Sequence, residues 1–220
     1  MNQCAVLASG GLDSSILLLD LLAQGRSVVP IYVRSGFLWE PDEMAHLDRL
    51  LDHAASACLA PLVVLDVPVA NLLPNHWSIT GIGVPSEHSS DDAVYLPGRN
   101  LLLLSKALIW CHLNQVPRIA LATLRGNPFH DATPAFMRLL ESAANEALQG
   151  NLSVEQPYLR LTKREVLLRV PNAPLQLTFC CLRPTGGKHC GKCNKCEERR
   201  NAFAAAGFAD HTAYAHNPPA

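Results

Sequence analysis

Short apolar runs at residues 3 to 8 (QCAVLA), 27 to 33 (SVVPIYV), 62 to 67 (LVVLDV) and 118 to 123 (RIALAT) alternate with longer segments whose apolar residues recur at helical spacing. The runs lack polar alternation, which is the pattern of strands buried on both faces. Helical spacing covers residues 13 to 24, about 41 to 59, 99 to 115, 132 to 148 and 162 to 169. Asp13 or Ser14 is expected to cap the first helix, and Pro41 followed by Asp42 and Glu43 marks the start of the second. This alternation predicts an α/β fold, a doubly wound, Rossmann-like parallel sheet whose sites lie beyond the carboxyl ends of the strands. Residues 1 to 170 are read as that domain, 171 to 210 as a C-terminal metal-binding segment packed on it, and 211 to 220 as a weakly ordered tail. The connection 68 to 98, which carries Pro68, Pro74, Pro85 and Pro97, is longer than a compact domain usually keeps without a use, and is expected to be a substrate-side loop or lid.

Composition narrows the class of protein. With 220 residues, 49% of them hydrophobic, and a formal net charge of −1, the chain can bury one substantial core and has no basic tract that demands nucleic acid. The opening MNQCAVLASGG lacks the charged start and long apolar stretch of a secretory signal. No membrane span is expected, because LLLLSKALIWCHL is short and broken by Lys106. Of eight cysteines, Cys4, Cys58 and Cys111 are scattered and five crowd between positions 180 and 196. That clustering favours a metal site in a reducing cytoplasm over disulfides.

Two motifs carry chemistry. In LASGGLDSSILLL, a strand runs through Ser9, Gly10, Gly11, Asp13, Ser14 and Ser15 into a helix. Glycines allow close backbone approach, and hydroxyls with the helix's free N–H groups suit phosphate oxygens. The Walker lysine is missing, so cleavage at the γ-phosphate is the less natural expectation. The second motif, Cys181-x8-Cys190-x2-Cys193-x2-Cys196, supplies four thiolates from a loop-rich segment and suits a closed tetrahedral Zn2+; an iron–sulfur cluster is the other centre four thiolates serve. Cys180 and His189 are then neighbours, not ligands. Arg183, Lys188, Lys192, Lys195, Arg199 and Arg200 alternate with the cysteines, and a solvated metal loop explains them better than contact with nucleic acid.

SGGLDSS resembles the SGGxDS signature of the PP-loop ATP pyrophosphatases, which implies ATP, pyrophosphate held on this turn, and transfer of AMP to an oxygen of the substrate. Together with the cysteine cluster, LPGRN at 96 to 100, LTKREVL at 161 to 167 and HCGKCNKCEERRNAF at 189 to 203, it resembles the QueC family of 7-cyano-7-deazaguanine synthases. That resemblance implies ATP binding by residues 8 to 18, namely Ala8, Ser9, Gly10, Gly11, Leu12, Asp13, Ser14, Ser15, Ile16, Leu17 and Leu18. It implies Zn2+ on Cys181, Cys190, Cys193 and Cys196, and Mg2+ on the phosphates with Asp13 in direct or water-mediated contact. Ser9, Asp13, Arg99 and Lys163 are the expected catalytic residues. The implied reaction joins ammonia to 7-carboxy-7-deazaguanine, through an adenylated carboxylate and then an adenylated amide, to give the nitrile. At this length no glutaminase domain is expected, leaving free ammonium or a partner as the donor. Symmetric homodimers are common in doubly wound enzymes of this size.

The chain departs from the family in two places. VRSGFLWEPDE at 33 to 43 replaces the usual aromatic-Gly-Gln stretch, so Arg34, Trp39 and Glu40 are candidates for a different pocket wall, with Trp39 alternatively plain core. RGNPFHDATPAF at 125 to 136 replaces the family's substrate-side segment. There Phe129 is a candidate for stacking on a base, and Asp131 either pairs with the guanidine-like edge of a deazaguanine or caps the helix at 132. Arg99, Asn100, Phe129 and Asp131 are the expected substrate residues. These departures also leave open a QueC-like enzyme that stops at an amide or conjugates the base, and, more distantly, a tRNA thiolase.

Overall fold

The computed structural model describes residues 3–216. Five strands, β1 (Gln3–Leu7), β2 (Ser27–Arg34), β3 (Val63–Asp66), β4 (Arg118–Ala120) and β5 (Ser153–Glu155), form one parallel sheet in the order β3-β2-β1-β4-β5. The chain winds outward from β1 to β3, then crosses back to β4. The order therefore reverses beside β1, and the crevice beyond its carboxyl end is the place where such sheets bind ligands.

The central strands β1 and β2 are buried almost throughout, as their unbroken apolar runs predict. β3 differs: as an edge strand it alternates between half-buried and exposed positions. The other edge, β5, comes from the polar stretch NLSVEQ and has no apolar run to announce it.

Helices α1 (Leu12–Ala23) and α2 (Glu40–His53) follow β1 and β2, and the connection to β4 carries the short α3 (Trp77–Thr80) and α4 (Arg99–Leu113). α5 (Pro134–Leu148), α6 (Lys163–Leu167) and α7 (Asn194–Ala206) complete the chain. On one face of the sheet Ile16, Leu17 and Leu18 of α1 pack with Leu47 and Leu50 of α2, Val166 and Leu167 of α6, and Phe203 of α7. On the other, Leu104, Leu108 and Cys111 of α4 meet Met137 of α5.

Local capping differs from the sequence expectation at two helices. α1 starts on Gly11 with no side-chain cap, because Ser14 bonds within the turn and Asp13 points to Lys163. Asp131 caps a helix remote in sequence: its Oδ2 accepts from the Asn100 N–H at 2.9 Å, in the first turn of α4. Thr133 caps α5 in its place, its hydroxyl accepting from Phe136 N at 3.2 Å. α2 ends at His53, short of the expected residue 59, with Pro41 in its first turn as foreseen.

A carboxylate ties α1 to the segments beyond β5. Asp20 accepts from the Tyr158 hydroxyl at 2.8 Å and from Arg169. Burial works against the Asp20 charge, yet the Arg169, Tyr158 and Gln24 hydrogen bonds outweigh it and hold the carboxyl below its usual 3.8. A depressed carboxyl stabilises the fold above its unfolded pKa and loses that contribution as pH falls through the folded one. Asp20→Asn should therefore cost about 1–2 kcal/mol at pH 7, the half-exposed arginine limiting the effect. Chemical denaturation at a series of pH values should show the gap to wild type closing below about pH 3.8.

Among the described residues, no helix is long and apolar enough to cross a membrane.

Candidate active site

The turn after β1 is shaped by close packing. Gly10 has φ +73°, a left-handed backbone that glycine adopts without strain, and a Cβ there would stand 3.1 Å from the Glu43 carbonyl oxygen and 3.3 Å from Leu47 Cβ. The first turn of α2 thus lies directly against the loop. Ser14 Oγ accepts from Ser9 N at 3.2 Å and shares a hydrogen bond with Ser9 Oγ at 3.2 Å, closing the turn on itself. The first N–H groups of α1, which a helix leaves without intrahelical acceptors, follow directly on this turn.

A cavity of about 300 Å3 lies beyond the strand ends, lined by Ser9, Gly11, Asp13, Ser14, Arg99, Asn100 and Lys163 among others. Residues far apart in sequence meet there. Lys163, at the start of α6, places Nζ 2.6 Å from Asp13 Oδ2 and 2.8 Å from Glu198 Oε1 of α7. Glu198 also pairs with Lys195 at 2.5 Å. Burial opposes the Lys163 charge, but Asp13 and Glu198 outweigh it and keep the ammonium protonated well above its ordinary range. Burial likewise opposes ionisation of Glu198, and the two lysines overcome it, drawing the carboxyl down to about 2. Asp13 Oδ1 and Arg99 Nε are buried without a hydrogen-bond partner. Buried polar atoms are rarely left so, and these two line a cavity, as donors and acceptors reserved for a ligand do.

Not every expected ligand-binding residue reaches the cavity. Ile16, Leu17 and Leu18 are fully buried in the core behind α1 and are structural. Phe129 stacks on Tyr95 at 5.4 Å between ring centroids, and neither Phe129 nor Asp131 belongs to the cavity lining. Arg34 is exposed and forks onto Asp66. Trp39 and Glu40, in contrast, do form the wall. Glu40 accepts from Ser35 N at 2.6 Å and Gly36 N at 2.9 Å, folding the loop after β2 inward, while Trp39 stacks on Phe37 and Trp77.

The connection 68–98 is a wall as well. Trp77, Val94 and Leu96 line the cavity, and the backbone is stitched to the cysteine segment by Glu87 N to Lys192 O at 3.0 Å and Asn194 N to Pro85 O at 3.0 Å.

Sequence reasoning passed over Glu43, Tyr32 and Glu198. Glu43 sits where acidic residues commonly favour a helix N-terminus. Here it is buried, and Tyr32 donates its hydroxyl to Glu43 Oε2 at 2.6 Å. Burial pushes the Glu43 carboxyl up to about 7, against the pull of Tyr32 and Arg99.

Behind the cavity the four cysteine sulfurs converge. Cys181, Cys190, Cys193 and Cys196 are buried, with all four Sγ atoms within 4.8 Å of one another. Sulfurs at the corners of a tetrahedron with metal–sulfur bonds near 2.3 Å are separated by about 3.8 Å. The spacings here are 4.0 Å for Cys181–Cys193, 3.9 Å for Cys190–Cys196 and 3.5 Å for Cys193–Cys196. Cys190 N donates to Cys181 Sγ at 3.1 Å, and Leu182 N to Cys193 Sγ at 3.4 Å, an arrangement that stabilises thiolates. The group can hold a metal ion. Cys180 and His189 stand beside it: Cys180 N donates to His189 Nε2 at 3.2 Å, and burial pushes the Cys180 thiol up to about 11.

Three of the six cations of this segment, Lys195, Arg199 and Arg200, are engaged within the protein, while Arg183, Lys188 and Lys192 are exposed. Arg199 is buried and donates to Thr212 Oγ1 at 2.6 Å, Thr178 Oγ1 at 2.7 Å and Leu175 O at 2.7 Å. Arg200 reaches Gly191 O and Glu197. Arg199→Met keeps much of the volume but strips those donors, and should cost about 2 kcal/mol, read as a lower denaturant midpoint with an unchanged slope. Residues 211–216, expected in a loose tail, also pack here, with His216 Nδ1 at 3.1 Å from Cys190 O; residues 217–220 lie outside the described residues.

A family model described as "Queuosine biosynthesis protein QueC" matches residues 3–207. The chain belongs to this family. A 7-cyano-7-deazaguanine synthase of Syntrophotalea carbinolica is 30% identical over 228 residues, covering 97% of each chain. One from Rhizobium johnstonii is 29% identical, over 95% of this chain and 90% of that protein. Among solved structures, a 4-thiouridine synthetase in complex with RNA and bound ATP superposes with a TM-score of 0.53 and 12% identity, over 94% of this chain and 50% of that one. At that identity the likeness is one of fold. The match spans the turn, LPGRN, LTKREVL and all four clustered cysteines.

Proposed function

We propose that the protein is an ATP-dependent ligase that converts 7-carboxy-7-deazaguanine and ammonia to 7-cyano-7-deazaguanine, releasing AMP and pyrophosphate twice. The observation that carries this reading is the meeting of Lys163 with Asp13 of the Ser9–Ser15 turn, beside Arg99, in one cavity of a QueC-family chain. In the first half the substrate carboxylate attacks the α-phosphorus, and pyrophosphate leaves onto the turn. Ammonia then displaces AMP to form the amide. In the second half the amide oxygen takes AMP from another ATP, and loss of AMP with two protons leaves the nitrile.

Neither half needs a protein nucleophile. The α1 N-terminus, Lys163 and Arg99 stabilise phosphate charge, and the enclosed walls align the acceptor oxygen and exclude water. Mg2+ bound by Asp13 would neutralise phosphate charge. The four cysteines fit Zn2+ in a closed, structural role.

Purified protein incubated with ATP, Mg2+, ammonium and 7-carboxy-7-deazaguanine should release pyrophosphate and yield a base with the mass of the nitrile. Arrest at the amide mass identifies an amide-forming enzyme. Absence of ATP cleavage with any deazaguanine acid overturns the reading.

A further inference from the structure

If the acceptor is a deazaguanine, something in the cavity must recognise its flat face and its 2-amino-4-oxopyrimidine edge, and Phe129 and Asp131 lie outside the lining. The carboxylates that do line it are not equivalent. Both Glu40 oxygens accept from backbone N–H groups, and Asp13 and Glu198 hold Lys163 on the phosphate side. Glu43 takes one hydrogen bond, from Tyr32 to Oε2, and Oε1, which accepts none from a described residue, is not sealed off: the residue is 7% exposed and lines the cavity. An oxygen that opens to a cavity and has no partner in the protein is an acceptor a ligand's N–H groups can use. Trp39, whose backbone oxygen accepts from Glu43 N at 2.9 Å, is held between Phe37 at 4.8 Å and Trp77 at 5.7 Å, so of the two indoles lining the cavity it is Trp77 whose face a ligand can meet.

We propose that Glu43 and Trp77 form the base-recognition subsite, with Glu43 accepting from the 2-amino group and ring N–H of the deazaguanine while the Trp77 indole, backed by Trp39, covers its face. The assignment rests on the ligase reading above. Adenine fits the subsite less well, since its amino group adjoins a ring nitrogen lone pair that a carboxylate repels. The guanine-type edge presents two donors side by side. The arrangement reaches the reacting centre, because the Glu43 backbone abuts Gly10 of the phosphate turn.

The test compares wild type with Glu43→Gln, which keeps an acceptor for Tyr32 but replaces the free oxygen or its neighbour with an N–H donor. The substrates are 7-carboxy-7-deazaguanine and its analogue lacking the 2-amino group. Wild type should favour the amino compound by at least about 30-fold in kcat/KM. In Glu43→Gln that preference should shrink to about fivefold or less through a raised KM for the acid, with KM for ATP within about threefold and metal content unchanged. Trp77→Leu should raise KM for both acids alike. Retained discrimination in Glu43→Gln, or an effect on ATP in place of the acid, overturns the assignment.

Quenching of tryptophan fluorescence by 7-deazaguanine, which has no carboxylate to activate, separates this inference from the ligase reading. Wild type that binds the base without converting any acid refutes the ligase and leaves the subsite standing, provided Glu43→Gln loses the binding. Wild type that neither binds nor converts refutes both.

Discussion

Asp13→Ala protein should form AMP about 10²–10³-fold more slowly than wild type, the usual loss when one preorganised electrostatic group is removed, while keeping its metal. The geometry makes this variant informative. Asp13 Oδ2 holds Lys163, and Oδ1 is buried without a partner in the cavity, so the substitution removes both the orientation of the lysine and the carboxylate offered to Mg2+. Lys163 is not orphaned, because Glu198 still stands 2.8 Å from its Nζ. The large penalty for leaving a buried charge alone is therefore avoided, and thermal unfolding should stay close to wild type. Single-turnover measurement of AMP, with metal quantified on the same preparation, checks both parts. Wild-type AMP formation in Asp13→Ala would remove this carboxylate from the chemistry, and metal loss would mean that turn and cluster fold as one unit.

Stripping the metal should do what Asp13→Ala does not, and damage both sites at once. The four cysteines sit in one buried cluster with Phe37, Trp39, Phe179 and Leu182, so an ion held by them would organise the segment's core. Structural Zn2+ in small cysteine-rich folds binds with about 10–16 kcal/mol that is also folding free energy. Losing even half of that would lower the melting temperature of a chain this size by about 10 °C or more. The catalytic cavity should go with it, because α7 begins within the cluster and carries Lys195, Glu198 and Arg199 to the lining. Phe179 N also donates to Gly10 O at 2.7 Å, fastening the strand of chain before Cys181 to the phosphate turn. Calorimetry and AMP assays before and after treatment with a strong chelator should show both falling together, and readdition of Zn2+ restoring them. A stripped protein with unchanged melting and turnover would refute a structural metal. Iron and inorganic sulfide on elemental analysis would replace zinc with a cluster.

Features carried by local pattern were legible in the sequence. The apolar runs of β1 and β2, the helical spacing of α1 and α4, and the glycine turn between strand and helix all depend on residues within a few positions of one another. The cysteine spacing was legible for the same reason, since three of the four sulfurs come from seven consecutive residues. What could not be read was non-local. Asp131 looked like the cap of the helix beside it, and its real partner, Asn100, is 31 residues away. Glu43 was legible only as an acid marking a helix start, and Glu198 carried no signal of its own, because it is the packing of α2 on the turn and of α7 on α6 that encloses them. β5 has three residues and gains its place only by pairing with β4, so its own sequence contains no periodicity to find.

Gly191 has φ +82°, and a Cβ there would collide with the carbonyl of His216, so the chain passes directly over the cysteine loop in a crossing that only glycine permits. With Ala215 N donating to His189 O at 2.8 Å, that crossing covers Cys190 with polypeptide that supplies no sulfur of its own. How tightly an ion there would be held and how quickly it would escape are thereby set by different parts of the chain. The cysteines set the equilibrium, whereas the peeling of a few residues sets the tempo of exchange, and a bulky fusion placed close behind His216 would act on the second while leaving the first alone.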